Sequence, residues 1–240
     1  YYERTETWDY LQAFIDEARN QELKVHASIN TFVGGYLCPY NLGSDGMLFR
    51  DDSKKEWASV ANLEDGLTNT MDLLNDETDS GAKFMNPAND EVQNFVLQLL
   101  DDLAKYDLDG IILDRCRYDD YGLESDFSTV SKQKFEEYIG ETVTNFPGDI
   151  MAPGTQSLPS SQPAYFKKWL EFRVKVIHDF IVKAREKVKS VNTKINFGVY
   201  VGAWYSSYYT SGVNWASPKY DTSVYYPKWA TADYKNYGYA

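Results

Sequence analysis

Asp114, Arg115, Arg117 and Tyr118 follow directly on the apolar run Gly110-Ile111-Ile112-Leu113. A short Ile/Leu strand cannot bury four polar groups in its own continuation, so they must emerge where the strand leaves the core. In parallel α/β folds that exit, at the carboxyl ends of the strands, is where ligands bind and catalytic groups sit. A carboxylate placed there can act as a nucleophile or a general base. Arg115 and Arg117 suit another task, because a guanidinium stays charged: it orients an acid or binds hydroxyls and does not shuttle protons.

Two further runs end in polar or aromatic residues. Asn30 closes Val25–Asn30, and Trp204 and Tyr205 follow Ile195–Val201. Asp221, beyond the third run, is the second acid in plausible reach, and Glu171 is a third. Glycosidic bonds are typically cleaved by two carboxylates, one protonating the leaving oxygen and one attacking or activating water. The candidate set is therefore Asp114 and Asp221 as acids, with Asn30, Arg115, Arg117, Tyr118, Trp204 and Tyr205 as substrate contacts. Each has a plainer reading: Asp114 paired to a neighbouring arginine, and Trp204 and Tyr205 packed beneath a loop. His26, alternating with apolar residues, reads as a hydrogen-bonded core histidine.

These residues need elements to hold them. Trp8, Leu11, Phe14/Ile15 and Ala18 recur at helical spacing, and Leu23–Asn30 alternates as a strand. Asn86-Pro87, with Asp90 and Glu91 behind them, predicts a helix capped at Asn86. Its apolar face, Val92, Phe95, Val96, Leu99, Leu100 and Leu103, leads into the strand ending at Asp114. A shorter helix is expected over Ser131–Ile139, and a long one over Pro163–Ser190 with Arg173 on its buried stripe and Glu171 on a solvated face. Arg173 there calls for a buried acid as partner. Helices alternating with short strands mean βαβ units and a parallel sheet. Residues 31–86 form an insertion long enough to be functional.

At 240 residues and 43% hydrophobic content, one domain over residues 1–240 is expected. The formal charge of −12 excludes an electrostatic partnership with nucleic acid, whose phosphates need cations. The 20 Tyr and 6 Trp exceed what a core this size requires, which places rings at the surface, where they suit the C–H faces of sugars. Cys38 and Cys116 show no metal-type spacing and read as free thiols, so neither metal nor cofactor is expected. No run is long and apolar enough to span a membrane.

Four stretches together resemble the bacterial glycosyl-hydrolase-like family ten. They are Lys24–Asn30, Phe84–Val92, Tyr106–Tyr118 and Asn196–Val199. The third, Asp-Gly-Ile-Ile-Leu-Asp-Arg-Cys-Arg-Tyr, is the specific one. The resemblance implies a (β/α) TIM-type glycosidase barrel, with Asp114 at the end of its fourth strand beside Arg115, Arg117 and Tyr118. It also implies an exported hydrolase acting on an oligo- or polysaccharide; the alternative is a glycan-binding or envelope scaffold module on the same barrel. Ser28 stands where that family carries an aromatic, and Asp119 where it carries proline. The resemblance starts the chain just before the third barrel strand and ends it soon after the fifth, which makes it the middle of a longer protein with further domains.

Overall fold

The computed structural model describes residues 8–37, 45–73, 81–159, 161 and 163–215. Helix α1 (Tyr10–Asn20) starts at Asp9, whose carboxylate accepts from the amides of Leu11 and Gln12, and it buries Ile15 and Ala18. Strand β1 (His26–Asn30) follows. After the insertion come α3 (Asp90–Leu103), β6 (Gly110–Asp114), α4 (Thr129–Ile139), α5 (Phe166–Val191) and β7 (Asn196–Val199). The helical and strand runs read from periodicity are thus present, with ends shifted by a few residues.

Strands β1, β6 and β7 form one parallel sheet in the order β1-β6-β7, with α3 and α5 in the two crossovers. The register sets Ala27, Ile111 and Phe197 in one row and Ile29, Leu113 and Val199 in another. Both rows pack against a core containing Val92, Val96 and Leu100 of α3 and Ile177, Phe180 and Ile181 of α5. Period-two alternation then turns Ser28, Asn30, Ile112 and Asp114 to the opposite face. Among the described residues the parallel sheet has these three strands, with β1 and β7 at its edges. The α/β class stands, whereas a closed barrel takes eight parallel strands.

The insertion is structured. Its described residues form β2 (Val33–Gly35) paired with β5 (Lys83–Phe84), a short α2 (Met47–Arg50), and a hairpin of β3 (Val60–Leu63) and β4 (Gly66–Asn69). Single bridges tie Ala58 to Met85 and Ala61 to Ser125, and so fix the hairpin against the loop after β6.

Helix α3 begins later than expected. Its cap is Asn89, which accepts from the amide of Glu91, while Asn86 is buried and donates its side-chain amide to the hydroxyls of Ser128 and Ser131. The amide of Asn86 thus pins α4, while its Oδ1 accepts from the Ala88 amide at 2.8 Å in the turn that precedes α3. Glu171 is not on a solvated face; it is 6% exposed and pairs with Lys168 at 2.9 Å. His26 is exposed, not a core residue, because it alternates onto the uncovered face of edge strand β1.

A second apolar cluster lies under the loop after β6. Phe127 stacks on Trp169 with ring centroids 4.9 Å apart, and Phe135 meets the same indole edge-on at 4.9 Å. The loop therefore rests on α4 and α5 through aromatic contacts worth roughly 0.5–1.5 kcal/mol per pair beyond area burial.

Candidate functional site

The register pairs Asn30 directly with Asp114 at the ends of β1 and β6, and the amide of Thr31 donates to the Asp114 carbonyl at 2.8 Å. Asp114 is half-buried, and its Oδ1 accepts from the amide of Arg115 at 2.7 Å. Among the described residues its second oxygen accepts nothing. Arg115 holds a left-handed φ of 48°, which an L side chain rarely adopts. Such outliers persist where the surroundings over-determine them. The guanidinium groups of Arg115 and Arg117 both lie over the ring of Phe84, at 5.8 and 5.1 Å. Neither arginine pairs with Asp114; Arg117 instead reaches Asp120 at 2.8 Å and the Tyr118 carbonyl at 2.9 Å.

The segments that follow the three parallel strands meet in an open cleft of about 710 Å³. Leu63, Glu64, Asp65, Thr68 and Leu73 come from the segment after β1. Asp120, Tyr121, Gly122, Glu124, Gly154 and Gln156 come from the segment after β6, and Thr210 from the segment after β7. Four carboxyl groups, two threonines, an amide and a phenol thus line it, the polar set that sugar hydroxyls require. Asp114 is not among the lining residues, but Arg117 connects the strand-end corner to the cleft through Asp120.

Glu124 is the residue that sequence reasoning missed. It ends a 3-10 turn, Gly122–Glu124, and is only 5% exposed although it lines the cleft. Burial, reinforced by the charge of Glu64, holds its carboxyl above the ordinary range, against a hydrogen bond from Gln156. Nothing in its neighbourhood signals this, since a single acid in a polar loop reads as a solvated charge.

Tyr118 does not lie on the rim. It is 1% exposed, its ring sits under the Arg173 guanidinium at 4.4 Å, and its buried hydroxyl is raised in pKa mainly by loss of water. Because its amide donates to the Ser211 carbonyl, the chain turns inward immediately after Arg117. Arg173 donates to the carbonyls of Gly122, Thr210 and Tyr209. Trp204 is 37% exposed and edge-on to Tyr208, whose hydroxyl donates to the Gly202 carbonyl. The side chain of Tyr205 and all of Asp221 and Cys38 lie outside the described residues. Cys116 is a free thiol, buried and so pushed well above its ordinary pKa, which leaves it unreactive.

Two further acids are buried beneath the cleft. Asp119 accepts from the Ser125 hydroxyl and the Tyr121 amide, and Asp126 accepts from the Val60 amide, the Ser128 amide and the Ser131 hydroxyl. Burial pushes Asp119 up to about 6 and raises Asp126 as well. Their bonds join the β3 hairpin, the loop after β6 and α4, so their task is to hold the cleft walls together.

The sequence pattern of the family described as glycosyl hydrolase-like 10 matches residues 2–226. The chain belongs to that family. As a glycosyl hydrolase-like 10 chain it has a curated relative in the S-layer-related protein of Niallia circulans, 34% identical over 245 residues. That alignment takes in 94% of this chain and 14% of the relative, so the chain spans about a seventh of the relative's length. Among solved structures, α-L-fucosidase isoenzyme 2 from Paenibacillus thiaminolyticus superposes with a TM-score of 0.48 at 14% identity, over 82% of this chain and 23% of that one. The β-galactosidase from Bacillus circulans sp. alkalophilus gives 0.45 at 11% identity, over 91% and 40%. Overlap at that level fixes neither a closed barrel nor a site. No described helix is long and apolar enough to cross a membrane.

Proposed function

We propose that this chain is the glycosidase-type (β/α) portion of an exported, envelope-associated protein, and that it hydrolyses glycosidic bonds of an oligo- or polysaccharide. The observation that carries this reading is the convergence at one end of the sheet. Asp114, with one carboxylate oxygen uncommitted, sits opposite Asn30, and the segments after all three strands build a polar cleft that Arg117 joins to this strand-end corner through Asp120. Membership of the glycosyl hydrolase-like 10 family supports the hydrolase chemistry. Asp114 serves as nucleophile or general base, and Asn30, Arg115 and Arg117 hold substrate hydroxyls. Trp204, with its partly exposed indole, offers a face to a sugar ring.

The reading implies that further strands close a barrel around the uncovered face bearing Asp114. It also implies that the second carboxylate comes either from those strands or from residues such as Asp221. The S-layer-related name of the Niallia circulans protein favours a second reading, a glycan-binding envelope module without turnover. The two separate in one experiment: reducing-sugar release from a panel of bacterial and host polysaccharides by the full-length protein and by its Asp114→Asn variant. Release by the parent and loss of at least about 100-fold in the variant establishes the hydrolase. Equal release by both removes Asp114 from the mechanism, and binding without release from either establishes the binding module.

A further inference from the structure

The register that pairs Asn30 with Asp114 also brings in a residue from the end of β7. Leu113 pairs with Val199, and one step further the amide of Tyr200 donates to the Leu113 carbonyl at 2.9 Å. Tyr200 therefore stands beside Asp114. The alternation that sends Leu113 and Val199 into the core turns both of these successors to the uncovered face. Asn30, Asp114 and Tyr200 thus make one row across the three strands. Tyr200 is 71% exposed, more than any other large hydrophobic or aromatic residue among those described, and its phenol makes no hydrogen bond there.

The row beneath is Ser28, Ile112 and Gly198. A glycine inside a strand weakens it, and it often marks a place where a ligand or another backbone approaches closely. Strands β6 and β7 each put one glycine on this face, and the two differ. A Cβ on Gly110 would meet the His26 ring at 2.8 Å, so packing within the fold accounts for that glycine. A Cβ on Gly198 would meet nothing within 4 Å, so no contact among the described residues accounts for this one. The open space over Gly198 lies in the row next to Asp114 and two residues before Tyr200 on the same face.

We infer that Tyr200 and Gly198 shape the sugar subsite at Asp114, one pyranosyl ring lying with its C–H face against the Tyr200 ring and seated over Gly198. The inference rests on the carbohydrate reading above and extends it to two residues on or just beyond β7. An exposed aromatic face beside a carboxylate with a free oxygen and a carboxamide is the complement of such a ring, whose hydroxyls bond to the acid and the amide. Gly198 supplies the room, since any side chain there would project into the space the sugar takes. Trp204, four residues further on, is turned edge-on to Tyr208, so the ring beside the carboxylate is that of Tyr200.

The test is titration calorimetry of the full-length protein with soluble hexasaccharides of glucose, galactose, mannose and N-acetylglucosamine, in the Asp114→Asn background wherever the parent releases reducing sugar. For the hexasaccharide bound most tightly, Tyr200→Ala should weaken affinity at least about tenfold, and Tyr200→Phe, which keeps the ring, should recover all but about threefold of it. Gly198→Val should weaken affinity at least about tenfold as well, with a melting temperature no lower than the parent's, because a β-branched residue suits a strand that has room for its Cβ. Phe14→Ala removes a comparably exposed ring on α1 and should leave affinity intact. Parental affinity in Tyr200→Ala or in Gly198→Val, or equal losses in the Ala and Phe variants, would overturn the inference and leave the carbohydrate reading standing. A lowered melting temperature in Gly198→Val would overturn it too, since protein and not sugar would then fill that space. Binding of no hexasaccharide by the parent would remove the carbohydrate reading and this inference together.

Discussion

The guanidinium of Arg173 lies 4.4 Å above the ring of Tyr118, and from that position it donates to the carbonyls of Gly122 and Thr210 at 2.8 and 2.9 Å. Both acceptors line the cleft, one in the loop after β6 and the other in the loop after β7. One side chain from the buried face of α5 therefore sets the spacing of two cleft walls. Gly212 is part of the same arrangement: with a φ of 64°, its missing Cβ would stand 2.5 Å from the Tyr118 ring.

Arg173→Met should lower the stability of the domain by about 2 kcal/mol, because it leaves partly buried carbonyls without their donors while roughly keeping side-chain volume. Arg173→Lys should lose less, since an ammonium can serve one or two of those carbonyls but cannot span them as a planar fork does. Urea denaturation of the three proteins measures the difference. Equal midpoints for parent and Met variant would show that the carbonyls find water instead.

The sheet and the two crossover helices were legible because their signals are local. Strand β6 is a bare apolar run after a glycine, α3 carries an apolar stripe, and both survive in the structure with Asp114 at the strand end. The site was less legible because its parts are distant in the chain. Arg173 on an apolar stripe asked for an acid as partner; its donation to main-chain carbonyls is what no pattern of side chains announces. Tyr118 read as part of the rim because it follows Arg117, yet the chain turns inward there and buries it. Glu124 was invisible because its burial depends on a hairpin nearly sixty residues earlier and on Gln156 across the loop.

Acid titration should raise the stability contribution of one buried group. The Asp119 carboxyl titrates at about 6 in the folded chain against 3.8 ordinarily. Between those values the folded state holds a proton that the unfolded state has lost, so stability falls as pH rises from about 4 to 6 and is level above. Asp119→Asn keeps an acceptor for the Tyr121 amide and offers an amide to the Ser125 hydroxyl. It should therefore be more stable than the parent at pH 7, by on the order of 2–3 kcal/mol, with the advantage vanishing near pH 4. Thermal melts across that range read the effect; a variant less stable at pH 7 would mean that the ionised carboxylate holds the loop.

Asp109 should show the opposite sign. Its Oδ2 accepts from Arg19 and from the Val25 amide, both at 2.7 Å, and so ties the end of α1 to the entries of β1 and β6. The Arg19 hydrogen bond first, and the Val25 amide second, hold the Asp109 carboxyl below the usual carboxylate range. A depressed folded-state pKa contributes stability above the unfolded value and loses it as pH falls through the folded one. Asp109→Asn preserves an oxygen for Val25 but removes the charge facing Arg19, so the melting temperature at pH 7 should drop by about 2–4 °C. The gap between variant and parent should close as the pH is lowered through the acidic range, and it should narrow in high salt because the pair is partly exposed. A gap that stays constant with pH would assign the loss to packing at the strand entry, since only the charge pair titrates.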